Sequence, residues 1–351
     1  MSDIAFEESS EYYENFDYFT DQKHVKVLVE NKKDVRLWSD AFPEQDNLVF
    51  DFATAIDMSD ELRILPAEGC KQLEKIGHYN LGKYLVVCKD SDYDYIVFLM
   101  KKAINPDHGE YKKSDYIFET LVHSVESIEY HKQFVQNFFA KKLCIHKSVI
   151  SNNAPWLDRF YAEFSKILYK PLLQAIFHDF ILKDKNRDAK YSLISLYSIL
   201  QDINKIKPNN ISFFDENFFS CNEWLSLVQK LHSFENNVLQ HFTRFNAIKD
   251  FNKVIDYMCV QNINESNCYM FFRGHNLENL IKDLLAKYFS KLYDNYINTE
   301  CDKLFDQQKI DKRKELFKNK GTFDIKNEQR NIELVDHFNE TVKSISIMYA
   351  Q

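Results

Sequence analysis

Two apolar runs in this chain stop on carboxylates. KVLVEN (26–31) runs into Glu30, and KYLVVCKDSDYDYI (83–96) runs into Asp90, Asp92 and Asp94. Carboxylates gathered at the ends of buried strands repel one another unless a cation lies between them. Oxygen ligands of this kind suit Mg²⁺ or Mn²⁺ rather than zinc, and no Cys or His set of zinc-ligand spacing competes. Such a centre activates water and stabilises a leaving phosphate oxygen. Two ions about 4 Å apart would hold both sides of an in-line displacement. A lone Asp-x-Asp is a weak signal, since solvated loops carry it often. The strand-ending Glu upstream gives it weight.

The elements that must position these acids alternate. Apolar runs at 24–30, 48–54, 84–89 and 116–122 read as strands, the first of the doubly covered kind. Residues 32–42 and 68–79 read as helices between them, and Ser124 is a plausible N-cap for a long helix through Lys142. This order implies a mostly parallel sheet with helices on both faces. Ligands of such sheets bind beyond the carboxyl ends of the strands. Glu30 ends strand one, Asp90 ends strand three, and Glu126 opens the helix after strand four. Three strands thus deliver acids to one edge. Beyond about 150 the apolar spacing is near 3.6 over 156–182, 190–206, 221–242, 245–260, 277–297 and 332–348, which predicts a helical domain.

Composition bounds the reading. At 351 residues two domains are expected, and 45% hydrophobic residues suffice for real cores. Gly and Pro number only 6 each, which favours helix over an all-β architecture. Seven cysteines without ligand spacing read as reduced thiols. The first twenty residues are acidic rather than basic-then-apolar, and no apolar run reaches membrane-spanning length, so a cytoplasmic protein away from membranes is expected. A net charge of −8 argues against a protein that coats nucleic acid. The acidity is uneven: residues 1–145 carry −10 and residues 146–351 carry +2. Residues 1–22 hold seven acids and no base, either a solvated tail or short helix, or an arm for a basic partner surface.

A strand-ending Glu followed two strands later by Asp-x-Asp resembles the Toprim fold. VLVENKKDVRLW (27–38), AEGCKQL (67–73), VVCKDSDYDYI (86–96), HSVESIE (123–129) and FFRGHNLENLI (271–281) narrow the resemblance. They are similar to the Toprim-like proteins of bacterial anti-phage defence, including the effector nuclease of the PARIS system and, more distantly, the OLD-type nucleases. The resemblance implies an α/β N-terminal Toprim-like domain with a mostly parallel sheet over 23–147, followed by an all-α C-terminal domain over 148–351. It implies a Mg²⁺/Mn²⁺-dependent endonuclease and toxic effector, with RNA such as tRNA favoured over DNA. An ABC-type ATPase partner and a homodimer are further expectations. Carried over residue by residue, Glu30 resembles the acid/base or metal-bridging glutamate, and Asp90 and Asp92 resemble metal ligands. Asp34 and Glu126 are second-site candidates. Two departures stand out: Asn31 replaces the usual Gly after the Glu, and Ala53-Thr54-Ala55 stands where Gly often follows strand two.

Other residues have blander readings beside the sharp ones. Lys71 could place an ammonium near phosphate at a helix start, or be an exposed helix residue. Arg273 and His275 flank Gly274 and could grip phosphate or a base, or simply pack and cap. Asp94 could be a ligand or a cap, and His123 is more often a satisfied histidine. Two alternatives to a nuclease remain. One is a haloacid-dehalogenase-like phosphohydrolase with an Asp nucleophile, which would leave Glu30 unused. The other is a catalytically idle adaptor that binds an ATPase partner.

Overall fold

The computed structural model describes residues 9–15, 22–54, 57, 73, 80–111, 114–143, 155–302, 306–309, 311–312, 323, 325 and 335–350. The chain divides into two compact units. One comprises 1–95, 109–128 and 330–351; the other comprises 96–108 and 129–329.

The first unit is built on four parallel strands, β1 (Lys23–Val29), β2 (Leu48–Thr54), β3 (Leu85–Lys89) and β4 (Ile117–Glu119), in the order β2-β1-β3-β4. Burial explains that order. β3 (LVVCK) is buried throughout, and Val25, Val27, Leu28 and Val29 of β1 are fully buried, as two-faced central strands require. β2 lies at an edge and is more open; its exposed Asp51 pairs with Lys26 of β1 at 2.6 Å. Val29 pairs with Thr54 on one side and Cys88 on the other, so the strand ends are level.

In the first unit α1 (Ser10–Asn15) and α2 (Val35–Ala41) accompany the strands; after β3 the chain enters α3 (Asp94–Ile104), whose residues from Ile96 onward count with the second unit. α3 was not foreseen: its YIVFLM run directly follows the aspartates. Where one long helix was expected from Ser124, there are two, α4 (Val125–Glu129) and α5 (Lys132–Leu143), parted at Tyr130-His131. β4 ends at Glu119 rather than 122, because Thr120 and Leu121 turn toward the β3 loop. The Thr120 amide donates to the Lys89 carbonyl at 3.2 Å, and Leu121 has φ 52°. The expected helix over 68–79 lies outside the described residues apart from Leu73, and so does Lys71.

The observed division differs from the one expected near 147: residues 96–108 and those from 129 onward fall in the second unit, and the C-terminal residues 330–351 fall in the first. Helix α11 (Asp336–Tyr349) belongs with the sheet. Its Thr341 hydroxyl donates to the Glu119 carbonyl at 2.6 Å, and its Tyr349 hydroxyl to the Lys83 carbonyl at 2.8 Å. Phe338 packs edge-on to Trp38 of α2 with centroids 5.4 Å apart. At the other terminus α1 is fixed by the Tyr84 amide donating to Ser10 Oγ at 3.0 Å, and a Cβ on Gly82 would collide with Ser10.

The second unit is helical among its described residues. α6 (Pro155–Ile176), α7 (Leu193–Leu200), α8 (Asn222–Arg244), α9 (Ile248–Val260) and α10 (Gly274–Asp302) are its main elements. Trp156, Phe160, Phe214, Phe218 and Tyr288 form an aromatic core, with Trp156 and Tyr288 centroids 4.4 Å apart. Among the described residues no helix is long and apolar enough to cross a membrane.

Candidate acidic centre

Strand order reverses between β1 and β3: from β1 the chain moves outward to β2, then returns to the far side of β1. At such a switch point the loops leave the sheet in opposite directions and open a crevice at the carboxyl ends of the strands. Glu30 is the first residue beyond β1, and Asp90 the first beyond β3. The Asp90 amide donates to Glu30 Oε1 at 2.8 Å, tying the two strand ends together. The Val125 amide, at the start of α4, donates to Asp90 Oδ1 at 2.9 Å. One carboxyl therefore joins the exit of β3 to the helix that follows β4.

Asp34 and Glu126 complete the neighbourhood. Asp34 closes a 3₁₀ turn over Lys32–Asp34, and its buried Oδ2 accepts from Asn31 Nδ2 at 3.1 Å. Asn31, in the position where Gly was the usual residue, has an ordinary extended backbone and uses its amide to hold Asp34. Glu126 is buried, accepts from Ser124 Oγ at 2.8 Å, and meets Lys33 Nζ at 3.5 Å.

Electrostatics show how closely these groups feel one another. Burial pushes the Glu30 carboxyl up to about 7, and the charges of Asp92 and Asp34 add to it; the Asp90 amide and Lys89 oppose the rise. Burial likewise lifts Asp34, with the Glu126 charge adding to the rise. Asp90 is held well above the usual carboxylate range by burial, then by the charges of Glu30, Asp34 and Glu126. Four acids from three strand ends thus share one weakly solvated region. Among the described residues, however, Glu30, Asp34, Asp90 and Asp92 do not supply a set of three with ligand oxygens all within 4.8 Å of one another.

Asp92 is placed differently. It sits in the turn after β3 with φ 45° and a side chain 62% exposed. Its amide donates to the His123 carbonyl at 2.9 Å, and its carboxylate lies 3.8 Å from His123 Nδ1. Asp94 is exposed and opens α3, its amide donating to the Ser91 carbonyl at 2.9 Å. Ser91 itself is buried and locks the β3 and β4 exits together. Its amide donates to Thr120 Oγ1 at 3.1 Å, and its Oγ accepts from the Leu121 amide at 2.8 Å. Thr54, in the segment where Gly is often found, closes β2 onto Asp57, which accepts from both its amide and its hydroxyl.

Arg273 and His275 lie in the second unit, at the start of α10, and both are exposed. The Arg273 carbonyl accepts from the Leu277 amide at 2.8 Å, a helix-opening contact. Sequence reasoning passed over Lys89, which is 4% exposed and pairs at 3.1 Å with the equally buried Glu119 beside it on β4. A Lys as the last residue of an otherwise apolar strand was the available signal. Comparison of the chain with protein-family models, with curated proteins and with solved structures finds no match.

Proposed function

We propose that this chain is a metal-dependent phosphodiesterase acting on nucleic acid, with Glu30, Asp34, Asp90 and Glu126 as its acidic centre and Asp92 on the solvent side. The observation that carries this reading is the hydrogen bond from the Asp90 amide to Glu30 at the strand-order switch point, which sets a buried Glu30 and a half-buried Asp90 where α/β sheets bind ligands. The donor set fits a hard divalent ion: it is all oxygen, Glu30, Asp34 and Glu126 are buried and Asp90 half-buried, and three of its members are lifted by burial and mutual charge. Mg²⁺ or Mn²⁺ bound there would supply Lewis-acid stabilisation of phosphate oxygens and a more acidic water.

The residues themselves have separable tasks. Glu30 with a carboxyl near 7 is suited to accept or return a proton close to neutral pH. Asp90 holds the β3 exit against α4 through the Val125 amide. Lys33 and Lys89 offset part of the negative charge. The sequence resemblance supports the finer reading of a Toprim-type endoribonuclease, a toxic effector in bacterial anti-phage defence restrained by an ABC-type ATPase. A haloacid-dehalogenase-like reading is less supported, because Glu30 is built into the loop that carries Asp90.

One observation favours a second reading, the idle adaptor: among the described residues no three of Glu30, Asp34, Asp90 and Asp92 bring ligand oxygens within 4.8 Å of one another. Incubation of the purified chain with mixed RNA and plasmid DNA, in Mg²⁺, in Mn²⁺ or in chelator, separates the two. Cleavage with metal and none with chelator is expected. Intact nucleic acid in every condition would contradict the nuclease reading and leave the adaptor.

A further inference from the structure

A cavity of about 370 Å³ opens beside β4 in the first unit, apart from the acidic centre. Its walls include Tyr95, Tyr111, Phe118 and Leu121, with Glu110 and Glu340 also lining it. The two tyrosine rings meet edge to face with centroids 5.1 Å apart. Glu119 contributes to the lining, but Lys89 at 3.1 Å already answers its charge. Glu110 and Glu340 differ: both are exposed, and neither carboxylate has an ion-pair partner among the described residues.

The chemistry narrows what such a space can take. Two uncompensated carboxylates repel a phosphate or carboxylate ligand. An apolar wall with aromatic rings accepts an alkyl stem, and the ring faces attract a cation. The volume falls in the range of small-ligand pockets. We propose that this cavity binds an organic cation of the alkylammonium or guanidinium type, its stem against Tyr95 and Tyr111 and its charge met by Glu110 and Glu340. The occupant is either a free amine or a Lys or Arg side chain of another protein.

The test is independent of the acidic centre, since it uses the full chain in chelator. Calorimetric titration with n-butylguanidinium and with the blocked peptide acetyl-Gly-Arg-Gly-amide should give saturable binding. Glu110→Gln with Glu340→Gln should weaken it at least about tenfold, since both carboxylates that meet the cation are lost. Both positions are exposed, so the fold should be unaffected. Ser344→Arg, which tethers a guanidinium to the lining of the same cavity, should abolish binding. Tighter binding of the free cation assigns a small-molecule source, and tighter binding of the peptide assigns a protein side chain. Failure of both probes to saturate, or binding unchanged in the double variant, would overturn the proposal.

Discussion

Replacing Glu30 by Gln removes one charge but keeps the Oε1 acceptor that holds the Asp90 amide. The strand exits should therefore stay in place while proton transfer and metal affinity are lost. Cleavage should fall by at least about 100-fold, the usual scale for a removed general acid or base. Gel assays of the variant beside wild type check this, with circular dichroism confirming the fold. Glu30 also sets a pH signature. Its folded carboxyl titrates near 7, above the ordinary value of 4.5, so the folded state holds a proton that the unfolded chain has already lost. Metal-free stability should therefore decline as pH rises from about 4.5 to about 7. Thermal melts in chelator should show that decline in wild type and a smaller one in Glu30→Gln. An equal decline in both would assign the pH dependence to other groups.

At the scale of elements, the turn after β3 separates chemistry from backbone. Asp92 has φ 45°, a conformation that Asp and Asn tolerate better than other side chains. Asp92→Asn should keep the turn, whereas Asp92→Ala should cost about 1 kcal/mol of stability. Because the Asp92 side chain is exposed, Asp92→Asn should weaken metal binding less than Asp90→Asn does, as parallel titrations would show. The strands were legible in the sequence because β1 and β3 are buried on both faces and so read as unbroken apolar runs. Glu30 and Asp90 were legible for the same reason: each is the first polar break with a carboxylate at the level of the other. The split between α4 and α5 was not, since Tyr130 and His131 carry no breaker signal, and the Tyr130 carbonyl is instead held by the Tyr161 hydroxyl at 2.7 Å. That contact lies 31 positions away and leaves no local trace. Lys89 was visible as the polar end of an apolar strand, but its pairing with Glu119 was hidden, because the two meet only through strand register.

The whole molecule departs most from a local reading in α11. Its apolar spacing predicted a helix, but nothing near it in sequence says that it lies with the sheet. Tyr349 and Thr341 bond to backbone 266 and 222 positions away. A fragment ending at 147 would leave the face around Trp38 and Phe42 uncovered, since Phe338 and Tyr349 pack there. Such a fragment should be unfolded or aggregate, and proteolysis should degrade it faster than the full chain. A fragment as resistant as the full chain would show that α11 is dispensable to the sheet. Glu30, Asp34, Asp90 and Glu126 all belong to this unit. Titration of the full chain with Mn²⁺, wild type against Asp90→Asn, tests the account most directly. Saturable binding by wild type, lost or at least tenfold weaker in the variant, is the predicted result; absence of binding by wild type, or equal affinity in both, would contradict it.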